Sequence, residues 1–192
     1  KEGCNALNDP VILMEAMGGG LAVEPFLSTV VLGGSLLREG AAEDVREELL
    51  SRLAAGELLL SFAYAEAQSR YDLNDVATRA RADGDGYVID GAKIVALHAG
   101  TADKIAVTAR TSGEDRDRDG ITIFLIDADA PGLSVRDYPT VDGLRAGDLA
   151  LEGVRVGADA VLGSVGGGLE LAESVVDRAA ALVAAEAAGA MA

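Results

Sequence analysis

The chain has one cysteine, Cys4, and one histidine, His98, in 192 residues. An intrachain disulfide is therefore ruled out, no Cys/His metal spacing exists, and a reduced, cytoplasmic setting is the expectation. Cations are scarce as well. Sixteen Lys and Arg against 32 Asp and Glu give a formal net charge of −16. This argues against nucleic acid, which is held by clustered Lys and Arg, and against anionic membranes. A small anionic ligand stays open, because a few local arginines or a helix N-terminus can hold one. No apolar run approaches the roughly 20 residues of a membrane span, and no signal-peptide pattern is visible. Hydrophobic residues make up 49%, enough for a core, which argues against disorder.

The length suits one large domain or two small ones. The chain starts at Lys1 and stops at Ala192 within an alanine-rich helical pattern, and it reads as a piece of a longer protein. Asp9-Pro10 is a helix start; that helix runs to about Met17 and stops at Gly18-Gly19-Gly20. Glu24-Pro25 opens a second helix, with Phe26, Val30 and Leu37 on its apolar face and Gly40 at its end. A third spans 41–55. Glu43, Asp44, Glu47 and Glu48 lie toward its N-terminus, where the helix dipole favours anions, and Val45, Leu49, Leu50 and Leu53 form its buried stripe.

The period then changes. An apolar strand, 58–64, runs into a polar loop, 66–75, that carries Glu66, Gln68, Ser69, Arg70, Tyr71 and Asp72. Polar groups at a strand end suit a binding site, because the sheet holds the loop in place. A hairpin follows with Gly84-Asp85-Gly86 at its tip, then a sharp turn at Asp90-Gly91. Further strands are expected at 93–97, 104–110, 121–126, 133–138 and 149–156, the last with a turn or bulge at Glu152-Gly153. The loop 112–120 has a D-x-D-x-D look but lacks the calcium-loop ligand ladder and reads as a solvated connection. Seven or eight short strands with tight turns favour a small antiparallel barrel or sandwich. Gly166-Gly167-Gly168 precedes a long helical pattern in which Leu171, Val175, Leu182 and Val183 are the apolar positions. The Lys-Ser/Thr pair of a phosphate loop is missing, so this is a linker. The expected fold class is α+β, with N-terminal helices at 1–56, an antiparallel β-barrel at 57–162, and a linker with the start of a C-terminal helical bundle at 163–192.

Three strings carry a family resemblance. The hairpin DGDGYVIDGAK, 83–93, is similar to the GDGYVLNGxK hairpin of acyl-CoA dehydrogenases. The strand ADKIAVTART, 102–111, resembles their AD…V.ART strand. FLIDADAPGLSV, 124–135, and DLALEGVRVGADAVLG, 148–163, resemble two later segments. Their order and spacing cover most of the chain. One departure stands out. The usual T-E-P-G-x-G-S-D signature reads AEAQSRYD here, with Ala65 in place of the threonine, and Leu97-His98 stands where another threonine is usual. The combination resembles the small-subunit branch of pimeloyl-CoA dehydrogenases.

The resemblance implies a flavoprotein oxidoreductase that uses FAD to dehydrogenate an acyl-CoA thioester between its α and β carbons. A carboxylate takes the α proton while the β hydrogen leaves as hydride to the flavin. It implies that Phe62, Tyr64, Ala65, Glu66, Leu97 and His98 form one wall of the flavin site, and that Ser69, Arg70 and Tyr71 lie near the acyl-CoA substrate. Each has an ordinary alternative: Phe62 and Tyr64 as core strand residues, His98 as a polar strand end, Arg70 as a partner of Asp72 or Asp75. No catalytic base is assigned. Asp177 and Glu186 lie near a position some relatives use, yet both read as ordinary helix residues. The implied partners are a second acyl-CoA dehydrogenase subunit, the same or different, and an electron-transfer acceptor. The alternative reading is a non-catalytic subunit that supports a catalytic one.

Overall fold

The computed structural model describes residues 8–192; Lys1 and Cys4 lie outside the described residues. The fold is α+β, as expected. Helix α1 spans Asn8–Gly19, α2 Gly34–Gly40, α3 Glu43–Ala54 and α4 Gly168–Met191. The second expected helix opens differently from its pattern. Leu27–Gly33 winds as a π-helix and passes directly into α2. A π-helix of this kind is rare and concentrates near functional positions. Thr29 on it faces the start of the first strand, donating its hydroxyl to the Leu60 carbonyl at 3.2 Å and accepting the Leu60 N–H at 3.1 Å.

The strands are β1 Leu60–Ala63, β2 Arg79–Asp83, β3 Gly86–Leu97, β4 Lys104–Arg110, β5 Ile121–Asp127, β6 Leu133–Pro139, β7 Arg145–Gly157 and β8 Val161–Leu162. They form one sheet in the order β6-β7-β3-β2-β4-β5-β8, with β1 beside β4. Two features differ from the expected antiparallel barrel. The β1–β4 and β2–β4 pairings are parallel, and β6 and β8 do not pair, so the sheet is not closed. It curls instead. Ile89 of β3 and Leu149, Leu151 and Val154 of β7 share a buried cluster with Ile105, Val107, Phe124 and Ile126 of β4 and β5, so the two halves wrap one core as a barrel would. Tyr87 and Phe124 meet across it with ring centroids 5.0 Å apart.

Alternation along the strands divides apolar residues between two cores. Leu60, Phe62, Ala106 and Ile123 face the helices, where they join Met14, Leu32, Leu36, Leu37, Leu49, Val175 and Leu182. Of the expected helix stripes, Leu49, Val175 and Leu182 are buried and Leu50, Leu53 and Leu171 are partly so, whereas Val30 and Val183 are exposed. Helix α4 lies against α1 with backbones nearly touching: a Cβ at Gly189 would overlap the Glu15 carbonyl, and one at Gly18 the Glu186 carbonyl.

Asp90-Gly91 is not a turn. β3 runs through it as one 12-residue strand, and the local signal marks a bulge instead. Against β7 the register slips between Ile89 and Gly91, and slips back between Lys93 and Ala96. In the first slip Asp90 faces both Glu152 and Gly153. In the second, Ile94 and Val95 face Asp148 alone. The two bulges lie on opposite strands and cancel, so the flanks keep one register. In each, the single opposing residue is an aspartate that takes a bulge N–H: Gly153 donates to Asp90 Oδ1 at 2.8 Å and Val95 to Asp148 Oδ1 at 3.2 Å.

Candidate functional site

The end of β1, the loop after it and the second bulge of β3 come together. Ile94 N–H donates to the Ala65 carbonyl at 2.9 Å, which ties the strand end to the bulge. The Ser61 hydroxyl donates to the Leu97 carbonyl at 2.8 Å, which ties β1 to the end of β3. The expected wall positions Tyr64, Ala65 and Leu97 are half-buried here. Burial raises the Tyr64 phenol above its usual pKa. The Ala65 N–H makes no hydrogen bond among the described residues.

The other nominated side chains point elsewhere. Phe62 is 2% exposed in the helix-facing core and tilts against Tyr64 at 4.9 Å. His98 is buried, with Nδ1 3.2 Å from Ser28 Oγ on the π-helix. Burial holds its imidazole below the usual pKa, against the pull of the Val23 carbonyl, Asp137 and Asp142. Ser69 is buried too, and its hydroxyl caps its own loop, accepting the Glu66 N–H and donating to the Glu66 carbonyl, both at 3.0 Å. Arg70 and Tyr71 project from that loop into solvent, Tyr71 at 97% exposure and Arg70 at φ 50° with no partner among the described residues. The alternative reading of Arg70, as a partner of Asp72 or Asp75, does not hold: Arg116 pairs with Asp72 at 2.9 Å and with Asp75 at 3.5 Å.

Glu66 is the anchor of this region. Its carboxylate accepts Lys93 Nζ at 2.6 Å, Gln68 Nε2 at 2.8 Å, and the N–H groups of Ala77 and Thr78 at 2.8 and 3.1 Å. Burial alone would raise its pKa; the charge of Lys93 and these donors outweigh that and bring it to about 2. Lys93 is fully buried and also donates to Thr108 Oγ1 at 2.8 Å. That burial pulls its ammonium down to about 8, against the attraction of Glu66. Both charges therefore persist near neutral pH, and the pair rivets β1's end to β3 and β4. Of the expected wall and loop positions, Phe62, Glu66, Ser69 and His98 are buried, whereas Tyr64, Ala65 and Leu97 are half-buried.

Five residues of the region escaped the sequence reading. Lys93, Thr108 and Arg110 are charged or polar groups within apolar strands, the sequence signal for a buried pair. Arg110 is 1% exposed and donates to the carbonyls of Asn74, Val76, Asp115, Asp117 and Asp119 at 2.9 to 3.2 Å. It fastens the acidic loop 112–120 to the loop after Glu66. Val95 and Asp148 belong to the bulge. Val95 is half exposed at φ 53°, which for a β-branched residue is an outlier costing about 1–3 kcal/mol. It borders a cleft of about 460 Å³ with Ile94, Arg136, Asp137, Tyr138 and Asp148. Another cleft of about 470 Å³ lies between α3 and the sheet, and neither cleft is lined by a nominated residue. Among the described residues no group of three His, Cys, Asp or Glu is placed to hold a metal, and no helix is long and apolar enough to cross a membrane.

Residues 61–154, the sheet just described, match the family model for "Acyl-CoA dehydrogenase, middle domain". The chain is 32% identical over 161 residues to the cyclohexane-1-carbonyl-CoA dehydrogenase of Geobacter metallireducens, which covers 82% of this chain and 42% of that protein. Among solved structures it is similar to the Tcur3481-Tcur3483 steroid ACAD, at 34% identity and a TM-score of 0.79 over 87% of this chain and 43% of that one. It is also similar to a chain of the ChsE4-ChsE5 complex from Mycobacterium tuberculosis, at 26% identity and a TM-score of 0.79 over 88% and 44%. The chain thus spans about two fifths of the length of the curated relatives it matches. On the family match, the relatives and the shared sheet, this chain belongs to the acyl-CoA dehydrogenase family.

Proposed function

We propose that these residues are part of a flavin-dependent acyl-CoA dehydrogenase subunit that removes hydrogens from the α and β carbons of an acyl-CoA thioester. The parts are read as N-terminal helices to residue 56, a middle β domain to 162, and the first helix of a further helical domain. The observation that carries the reading is the wall at the end of β1, in a sheet that matches the family's middle domain. An unpaired backbone N–H at Ala65 stands beside half-buried Tyr64 and Leu97 and an exposed, strained Val95. One donor amid apolar surface suits one face or edge of a planar, hydrogen-bonding ring such as the flavin of FAD. When bound, the flavin supplies the two-electron acceptor for this chemistry. The chain's own residues orient and shield. Ala65 offers its N–H to a ring acceptor, Tyr64 and Leu97 exclude water, and the Glu66–Lys93 pair keeps the strand end fixed. Arg70 and Tyr71, unpartnered on a pinned loop, are read as contacts to the acyl-CoA, with the guanidinium suited to a phosphate.

A second reading is favoured by the same residues. Ala65 has no hydroxyl to offer, and a fully exposed Tyr71 beside a free Arg70 also suits a protein partner. The similarity to a chain of the ChsE4-ChsE5 complex supports pairing with a different subunit, which then carries the base and passes electrons to an acceptor. The test is to purify the complete subunit containing these residues, alone and with its partner, and to record its visible spectrum. The first reading expects a yellow protein that bleaches on adding an acyl-CoA. A colourless subunit whose partner alone binds flavin favours the second.

A further inference from the structure

We propose that Asp148 is a positioning residue for the flavin wall, acting by holding Val95 in its strained conformation. The proposal rests on the flavin reading above and names a residue behind the wall that no family match assigns. The bulge puts Ile94 and Val95 opposite Asp148 alone, so the ladder has one N–H too many. The Val95 N–H is the surplus donor, and it goes to Asp148 Oδ1 at 3.2 Å. The carboxylate is itself fixed. Tyr138 donates its hydroxyl to Oδ1 at 2.8 Å, and Arg136 donates to Oδ2 at 2.5 Å.

On the other side of the same peptide pair, Ile94 N–H is held by the Ala65 carbonyl at 2.9 Å. The two N–H groups point to opposite sides of β3, and between them the backbone of Val95 takes φ 53°. A valine keeps such a conformation only when its surroundings over-determine it. Asp148 supplies that constraint from β7, and Ala65 supplies it from β1. The result is that the Val95 side chain stands half exposed at the cleft while Lys93 and Ala96 on either side stay buried. The hydrogen bond from Arg136, helped by those from Tyr138 and the Val95 N–H, holds the Asp148 carboxyl below its usual pKa, so the acceptor is ionised at neutral pH.

The experiment compares four forms of the complete subunit carrying these residues: wild type, D148A, V95G and D148A/V95G. FAD affinity and the position of the flavin absorbance bands are read for each. Glycine adopts φ near +50° without strain, so V95G removes the need for the constraint. The expected result is that D148A weakens FAD binding about tenfold and shifts the bands, whereas adding D148A to V95G changes neither. D148N, which keeps Oδ1 as an acceptor, is expected to stay within about twofold of wild type. If D148A weakens binding equally in the valine and glycine backgrounds, Asp148 is only part of the sheet and the proposal is overturned. It is also overturned if D148A leaves FAD affinity and bands unchanged while the wild type is yellow. A wild type that takes up no FAD, alone or with its partner, sinks the flavin reading itself and this proposal with it.

Discussion

Replacing Lys93 with methionine keeps most of the unbranched side chain and removes its charge. Lys93 Nζ lies 2.6 Å from Glu66 Oε1, with side-chain exposures of 0% and 4%. K93M therefore strands a carboxylate in the interior. Glu66 keeps the Ala77 and Thr78 N–H groups and the Gln68 amide, but its paired ammonium is gone and only the Arg110 guanidinium, bonded to loop carbonyls, still opposes its charge. Removing one member of a buried pair costs about 3–5 kcal/mol. Burial raises the Glu66 carboxyl, and the Lys93 charge with the surrounding donors outweighs it and brings it from 4.5 to about 2. The sign follows from linkage. A depressed acid contributes stability that is complete above pH 4.5 and is lost as pH falls toward 2. In K93M burial acts on Glu66 without the counter-charge, so the carboxyl takes up a proton more readily and the deficit shrinks in acid. Urea denaturation followed by circular dichroism, at pH 7 and pH 3, reads both terms. We expect K93M to lose about 3 kcal/mol at pH 7 and clearly less at pH 3. A loss below about 1 kcal/mol at pH 7, or a gap that does not narrow in acid, would refute the reasoning. The double variant E66Q/K93M should be more stable than K93M at pH 7, because both charges leave together.

Arg110→Met strips the donor from five loop carbonyls and should cost about 3 kcal/mol, seen as a lower Tm and faster amide exchange across 112–120; R110K should not rescue it, because one ammonium cannot span five acceptors. Gly189→Ala pushes a methyl into the Glu15 carbonyl and should cost about 1–3 kcal/mol, measured by denaturant midpoint, whereas Ala188→Gly on the exposed face should cost only about 1 kcal/mol from helix propensity. Tyr71→Ala should leave stability within about 0.5 kcal/mol, since the side chain is 97% exposed; in the complete subunit, a raised KM for acyl-CoA with unchanged kcat supports the substrate contact, and loss of co-purification with a partner supports the interface.

Much of the fold is legible in local pattern. Helix starts at Asp9-Pro10, the Gly84-Asp85 hairpin tip and the strand runs at 104–110 and 121–126 all follow from turn chemistry and alternation. What local pattern does not decide is how strands answer one another. Asp90-Gly91 carries the signature of a hairpin turn, and only β7 on its far side, with its own extra residue at Gly153, makes it a bulge. Closure of the sheet likewise depends on edges: β8 has only two residues, both paired with β5, so it offers β6 almost no ladder to close on. In the site, Glu66 stood out as polar at a strand end, but its role depended on where Lys93 pointed. Strict alternation from Lys93 predicts Val95 and Leu97 on the inner face with it. The bulge breaks that parity, leaving Ala96 buried and Val95 out.

The second bulge also has a meaning in terms of insertion and deletion. Excising Val95 would leave Lys93 opposite Leu149 and Ala96 opposite Gly147, their present partners. Both inward positions would keep their parity, and the ladder beyond would not slip. Val95 is thus a supernumerary residue: the sheet can be built without it, and no core side chain depends on its identity. Its position is one where size, polarity or even presence can vary while the scaffold is copied unchanged. A middle domain with such a position can alter what its wall presents by one-codon steps, without renegotiating the packing of two cores.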